Sequence, residues 1–343
     1  MLHQLVFLLM LMYLGEFKNS WAKNMNKNLG IVMDPIGQIK VSKDSSFAML
    51  LAAQAKGWKL WYMELNDLWL RDGQAYAATR PLQVRDDPND WFTLGTAQTM
   101  LLSNLMVILM RKDPPFDLEY IASTYILEQA VGTLVINNPQ SLRDANEKLY
   151  TAWFSQCCVP TLVARRASYL RDFLREQGEI ILKPLDSMGG HSIFHLTNGD
   201  ANTSVIIETI TDYEQKFVMA QRFIPAISQG DKRILLIDGE LIPYALARIP
   251  AMGEVRGNLA AGGYGKGVAL TQRDKWICQQ VGPVLKEKGL VFVGLDVIGD
   301  FLTEINVTSP TCIRELEQLY GLDIAGKLMD VIESKISSKN VET

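Results

Sequence analysis

The stretch Gly294-Leu-Asp-Val-Ile-Gly-Asp-Phe-Leu-Thr-Glu-Ile-Asn-Val-Thr-Ser-Pro310 decides the fold. Two apolar runs, 290–298 and 301–307, flank Gly299-Asp300 and read as paired strands. Glu304 and Asn306 are two apart in an otherwise apolar strand, so alternation puts both on one face, about 7 Å apart. Asp296 lies on the preceding strand. Buried carboxylates without partners are costly and call for a cation or a proton. Hard oxygen donors from Asp, Glu and Asn suit Mg2+, with Mn2+ as a substitute. Geometry sets a condition. A two-residue loop pairs 296 with 303 and sends Asp296 and Glu304 to opposite faces. Joint coordination therefore requires a three-residue loop or a bulge.

Upstream, a glycine-rich loop follows a lysine-ending strand in Ile181-Leu-Lys-Pro-Leu-Asp-Ser-Met-Gly-Gly-His191. Successive backbone N–H groups around Ser187, Gly189 and Gly190 suit a phosphate, and Lys183 adds positive charge. No Gly-Lys-Ser/Thr follows, so this is not a Walker loop, and the chain has no G-x-G-x-x-G. A second segment, 248–267, carries six glycines and three basic residues with little to pack. A structureless stretch of that length reads as a lid.

Elsewhere, short apolar runs alternate with helical patterns. Strands are expected at 29–33, 59–63, 106–110 and 134–137, with a helix from Asp44-Ser45-Ser46 to Ala55 stopped by Gly57. This spacing indicates a parallel-type α/β layer. The polar, Pro-containing region 72–91 reads as an insertion or hairpin. Ser141 is expected to cap a long helix over 142–154. Further strands are expected at 180–183, 193–196, 218–223, 232–238 and 241–248, the last two joined at Asp238-Gly239. A helix over 271–288 follows. The expected organisation is an apolar extension (1–28), an N-terminal α/β substrate domain (29–140), a small lobe (141–225), a C-terminal lobe with the metal site and glycine-rich loop (226–335) and a polar tail (336–343).

The 343 residues are 48% hydrophobic and 21% charged, which excludes disorder and a small disulfide scaffold. With 34 basic and 38 acidic residues the net charge is −4, so the broad basic field of nucleic-acid or anionic-membrane binders is missing. Cys157, Cys158, Cys278 and Cys312 lack zinc spacing and read as reduced, structural thiols in a cytoplasmic protein. The run LVFLLMLMYL at 5–14 is shorter than the ~20 residues of a membrane-spanning helix and has no basic region before it. Three readings stay open for it: an extension upstream of a true start at Met25, an anchor, or a packed helix.

Taken together, GIVMDPI (30–36), KDSSFAMLL (43–51), VILMRKDPPFD (107–117), NPQSLRD (138–144), NEKL (146–149), ILKPLDSMGG (181–190), GDKR (230–233), LARIP (246–250), RGNLAAGG (256–263) and LTEINVTSPTCIRE (302–315) resemble, in order, the bacterial-type glutathione synthetase family of the ATP-grasp superfamily. The resemblance covers about 29–335. It implies an ATP-grasp fold behind an N-terminal parallel-sheet domain. It also implies ATP-dependent joining of γ-glutamylcysteine to glycine through an acyl phosphate, giving glutathione, ADP and phosphate in a cytoplasmic homotetramer. It places Lys148 and Lys183 on the nucleotide phosphates, Gln221, Arg222, Phe223 and Ile224 at an adenine-reading hinge, and Asp231 on the ribose. Asp296, Glu304 and Asn306 are the implied metal ligands. Arg233 and Arg248 neutralise developing charge, with Arg256 and Asn258 of the lid beside them. Ser46, Arg111, Asp113, Ser309 and Arg314 lie in matched segments as substrate candidates, Arg111 and Asp113 at a strand end where α/β ligand sites gather. An ion-pair role for Arg111 is an equal alternative. Ser187 departs from the family's usual glycine, and Tyr264 from a usual basic residue. The competing readings are another ATP-grasp carboxylate–amine ligase and a non-catalytic nucleotide-binding protein on the same fold.

Overall fold

The computed structural model describes residues 27–186, 189–251, 257 and 262–339. The apolar run at 5–14, Met25, Ser187, Arg256, Asn258 and most of the expected lid lie outside them. Among the described residues no helix is long and apolar enough to cross a membrane.

The chain opens with β1 (Asn28–Met33), α1 (Ser45–Ala55), β2 (Lys59–Met63), β3 (Leu68–Arg71), β4 (Gln74–Val84), β5 (Phe92–Leu94), β6 (Gln98–Leu101), β7 (Val107–Arg111), α2 (Leu118–Glu128) and β8 (Leu134–Ile136). Asp44 starts α1 by accepting from Phe47 N at 2.7 Å, satisfying a donor that the first turn leaves open. These strands form one sheet in the order β3-β4-β2-β1-β7-β8, with β5 and β6 also paired to β4. The β2-β1-β7-β8 half is parallel, as the alternation of strands and helices requires. The region expected as an insertion or hairpin is the antiparallel half of the same sheet, built on the β3–β4 hairpin that turns at Asp72-Gly73.

The expected helix over 142–154 does not form. Instead α3 (Pro139–Asp144) is capped by Asn138, whose side chain accepts from Ser141 N. Ala145 leaves helical geometry, and a 3-10 segment, Leu149–Cys157, follows. After the break Asn146 O accepts from Tyr150 N and Lys148 O from Thr151 N, while the Glu147 carbonyl is left to accept from Ile305 N. The 3-10 segment packs on the strand that carries Glu304.

A four-stranded antiparallel sheet follows: β9 (Thr161–Ala164), α4 (Ala167–Gln177), β10 (Glu179–Pro184), β11 (Phe194–Thr197), α5 (Thr203–Thr211) and β12 (Val218–Arg222), in the order β11-β10-β12-β9. The third sheet comprises β13 (Asp231–Ile237), β14 (Glu240–Ile249), β15 (Tyr264–Ala269), β16 (Phe292–Ile298) and β17 (Phe301–Asn306), in the order β15-β14-β13-β16-β17. The last part of the expected lid is thus a strand, because β15 completes its hydrogen bonds along β14. Helix α6 (Gln272–Glu287) covers this sheet, with Thr271 and Asp274 closing a reciprocal cap. Helices α7 (Ile313–Tyr320) and α8 (Ile324–Lys339) return to the first sheet. There α8 packs on α1 and runs four residues into the expected tail.

Helix α6 approaches the Asp238-Gly239 turn closely. A Cβ on Gly282 would lie 2.4 Å from Gly239 O, inside any real contact. Gly282→Ala must therefore push α6 off the sheet. It is expected to lower unfolding stability by ~1–3 kcal/mol, read as a reduced urea midpoint at unchanged slope.

Candidate active site

The hairpin condition is met by a bulge. Across β16 and β17, Asp296 faces Glu304, but Val297 faces Leu302, so Thr303 is the extra residue. The two carboxylates consequently share a face. Thr303 bonds back through Oγ1 to Asp296 O at 3.1 Å. Its own carbonyl accepts from Lys183 Nζ at 3.2 Å. Glu304 sits 3.8 Å from Lys148 Nζ and 3.9 Å from Lys183 Nζ. Asn306 donates its Nδ2 to Gly294 O at 3.2 Å, which leaves its amide oxygen available as a donor atom for a cation.

Behind the carboxylates lies a buried arginine pair. Arg233 grips Asp296 with both branches, Nε to Oδ1 at 2.5 Å and Nη2 to Oδ2 at 3.0 Å. Arg248 reaches Asp296 Oδ2 at 2.8 Å and also pairs with Asp231. Gly294 makes the room, since a Cβ there would meet Arg233 Cδ at 2.7 Å. Burial alone would raise the Asp296 carboxyl, but the two guanidiniums overrule it and hold it well below the usual carboxylate range. For Asp231, burial outweighs Arg248 and pushes the carboxyl up to about 6. Burial lowers the Lys183 ammonium against the pull of Glu304.

Lys183, Asp231, Asp296 and Glu304 border a cleft of about 660 Å3 between the second and third sheets, whereas Lys148, Arg233, Arg248 and Asn306 are not among the residues that line it. Its walls are apolar at Ile181, Ile193, Phe223, Ile224, Ile227 and Ile298, and polar at Lys183, Gln221, Asp231, Asp296 and Glu304. A flat aromatic ring fits between such walls, and Phe223 is itself stacked on His195 at 4.1 Å. Among the described residues, Asp231 Oδ1 is buried without a hydrogen-bond partner and lines this cleft, so the site holds an acceptor suited to a ligand hydroxyl. Lys148, Lys183, Arg233 and Arg248 are set against four acidic side chains, Asp231, Asp296, Glu304 and the buried Glu147, so the chain's own cations leave no clear positive surplus. A nucleoside triphosphate carries several negative charges, so a further cation is needed. Among the described residues no three His, Cys, Asp or Glu side chains converge as a closed metal site. Two carboxylates and an amide fit a cation that completes its shell with phosphate oxygens and water.

A second cavity, of about 850 Å3, opens on the N-terminal sheet. Ser46, Arg111, Asp113 and Ser309 all line it, together with Asp34, Lys40 and Asp44. Arg111, only 5% exposed, donates from Nε to Ser46 Oγ at 2.9 Å and from Nη2 to Pro310 O at 2.8 Å. Among the described residues it makes no ion pair, so the equal alternative of a structural ion pair loses its partner. Arg314 is not brought to this cavity, because it pairs with Asp86 at 2.7 Å on the outside of α7. Gly189 and Gly190 turn with φ of 65° and 81° as a phosphate loop would, yet neither borders the first cleft. Sequence reasoning missed Asp34, Lys40, Asp44 and Glu147. Their neighbours Ser46, Asp113 and Lys148 carried the only signal.

Comparison with known proteins identifies the family of both halves of the chain. Residues 28–143 match the family model described as prokaryotic glutathione synthetase, N-terminal domain. Residues 147–321 match its ATP-grasp domain model. The chain is 61% identical over 317 residues to glutathione synthetase of Pseudomonas putida, covering 92% of this chain and 100% of that one. It is 59% identical over 312 residues to glutathione synthetase of Vibrio cholerae, covering 90% and 98%. Among solved structures it resembles D-cycloserine synthetase DcsG (TM-score 0.65, 15% identity, 90% and 99% covered). It also resembles D-alanyl-alanine synthetase A of Vibrio cholerae (TM-score 0.60, 12% identity, 92% and 100% covered). At those identities the structural matches carry the ATP-grasp fold alone.

Glu304→Ala removes the carboxylate that faces both Asp296 and the two lysines. Turnover is expected to fall by ~10²-fold or more with circular dichroism and unfolding midpoint retained. Unchanged turnover would refute the metal assignment.

Proposed function

The chain belongs to the prokaryotic glutathione synthetase family, and from that premise we propose how its residues divide the ATP-dependent synthesis of glutathione. The observation that carries the division is the Thr303 bulge, which turns Asp296 and Glu304 toward one point at the mouth of a cleft with two lysines. The apolar walls take adenine, with Gln221 and the backbone at 222–224 reading its edge. Asp231 offers its unpartnered oxygen to a ribose hydroxyl. Lys148 and Lys183 hold the phosphates. A divalent cation, Mg2+ on this reading, is held by Asp296, Glu304 and Asn306 and supplies charge neutralisation to the triphosphate.

The dipeptide belongs in the second cavity. Arg111 and Ser46 offer donors to an α-carboxylate, while Asp34, Asp44 and Asp113 surround a position for an α-ammonium. That is the zwitterionic head of a γ-glutamyl group. In the first step an oxygen of the cysteinyl carboxylate attacks the γ-phosphorus and ADP leaves. The neutral glycine amine then attacks the acyl carbon, the bond from that carbon to the phosphate oxygen breaks, and the surplus proton on nitrogen leaves with the phosphate. Arg233 and Arg248, prealigned by Asp296, stabilise the oxyanion charge that develops in both steps. No side-chain nucleophile is required, which agrees with the burial of Cys157, Cys278 and Cys312. Another carboxylate–amine ligase on this fold is not favoured, because identity near 60% extends over both domains.

ADP release is expected only when γ-glutamylcysteine, glycine and a divalent cation are all present, and EDTA should abolish it. Equal release with D-alanine or with glutamate as sole amine would overturn the substrate reading. Arg111→Ala should raise KM for the dipeptide by ~10²-fold while KM for ATP stays unchanged. An equal rise in both would return Arg111 to a structural role.

A further inference from the structure

The motif Asn146-Glu147-Lys148 lies where the expected helix breaks, and each of its residues reaches a different part of the active site. Asn146 donates from Nδ2 to Leu185 O at 3.0 Å, in the loop that follows Lys183. Its Oδ1 accepts from Leu149 N at 2.9 Å and so turns the chain there. Lys148 points its ammonium at Glu304. Glu147 has been given no role so far, although both its backbone and its side chain bond to the metal strand and the residues that follow it. Its backbone carbonyl accepts from Ile305 N at 2.8 Å, between the two ligands Glu304 and Asn306. Its Oε1 accepts from Val307 N at 2.8 Å, Thr308 N at 3.0 Å and Thr308 Oγ1 at 2.8 Å.

Three donors on one carboxylate oxygen make a strong, directional clamp. It grips the chain immediately after Asn306. The opposite side of the same peptide is held as well, since Asn137 Nδ2 donates to Val307 O at 2.7 Å. Val307 is thus fixed through both its N–H and its carbonyl by side chains from outside the third sheet. Neither β17 nor the hairpin explains this anchoring, because the ladder with β16 ends at Asn306.

We propose that Glu147 is a positioning residue that sets the metal strand and the Lys148 ammonium in one frame, so that cation and triphosphate are gripped together. A carboxylate placed one residue before a phosphate-binding lysine, and bonded one and two residues after a metal ligand, couples the two grips through a few covalent bonds. This inference rests on the metal and nucleotide assignment of the preceding section. It goes beyond that assignment by giving a role to a side chain that touches neither group.

The test measures ADP binding by calorimetry, with and without Mg2+, beside steady-state kinetics and urea unfolding. Glu147→Ala strips the acceptor from three donors. It should weaken Mg2+-dependent ADP binding by ~10- to 100-fold and lower turnover by a similar factor. Glu147→Gln keeps Oε1 as the acceptor and should stay within ~5-fold of the parent. Thr308→Val removes one donor while both backbone bonds remain. It should weaken ADP binding by ~5-fold and keeps the inference testable if Glu147→Ala does not fold. A less stable Glu147→Ala protein, or a Thr308→Val protein, with unchanged ADP affinity and KM for ATP would overturn the inference and leave a structural clamp only. Glu304→Ala separates the two levels. If it leaves Mg2+-dependent ADP binding intact, the metal assignment itself fails. If it abolishes that binding while Glu147→Ala leaves it unchanged, the Glu147 inference alone fails.

Discussion

One extra residue in a β-ladder governs the active site. A regular hairpin across Gly299-Asp300 would send Asp296 and Glu304 to opposite faces, one toward the cleft and one into the apolar layer. Thr303 removes that conflict by dropping out of register. A bulged residue leaves its backbone groups outside the ladder. Here the free carbonyl accepts the Lys183 ammonium, and the hydroxyl closes back on Asp296. The irregularity that orients the carboxylates therefore also ties the second sheet to the third. Lys183 belongs to β10 and Thr303 to β17, so their bond spans the cleft floor.

The charges around that point are arranged for preorganisation more than for stability. Burying Arg233, Arg248, Asp231 and Asp296 together removes four ions from water, and mutual attraction does little more than offset the desolvation. What the cluster provides is fixed donors. Asp296 holds both guanidiniums where the proposed mechanism develops oxyanion charge, and they in turn hold its carboxyl well below the usual carboxylate range. Such donors need no reorientation when charge shifts from carboxylate to phosphoryl to tetrahedral oxygen. The balance of these cations by as many acidic side chains also explains why the cleft is built to share its ligand with a divalent ion. Cations of the chain alone would meet a triphosphate with most of its charge uncompensated.

Much of this was legible in the sequence, for identifiable reasons. Strands such as Asn28–Met33 and Val107–Arg111 announce themselves because nearly continuous apolar runs bounded by turns have few alternatives. The bulge was legible as a condition, since ligand chemistry demanded a common face that regular pairing forbids. The helix over 142–154 was misread because Asn138, not Ser141, supplies the cap and the apolar period runs on past the break at Ala145. The antiparallel half of the first sheet was hidden by polar residues on its solvent face. Residues whose meaning depends on distant partners left no local mark. Glu147 binds Val307 and Thr308 about 160 positions away, and Arg111 binds Ser46 across 65. Arg314 shows the reverse error, a residue inside a matched motif whose side chain turns outward to Asp86.

The two cavities must be registered for an acyl group formed beside one to be captured beside the other, and a short piece of chain does this. Residues 307–311 leave the metal strand and form part of the wall of the dipeptide cavity through Ser309 and Thr311. A free segment there would let each cavity move independently, and a shift of about 1 Å is enough to cost orders of magnitude in rate. Side chains from three other parts of the chain hold it. Asn137 and Glu147 grip Val307, and Arg111 takes the carbonyl of Pro310. Arg111 binds that carbonyl while its Nε engages Ser46 in the other cavity wall. On the proposed assignment, the dipeptide's carboxylate is therefore read by a group bonded to the chain that carries the metal ligands. Substrate recognition and phosphoryl activation share one rigid element, which is the physical requirement for a labile acyl phosphate to pass to glycine before water reaches it.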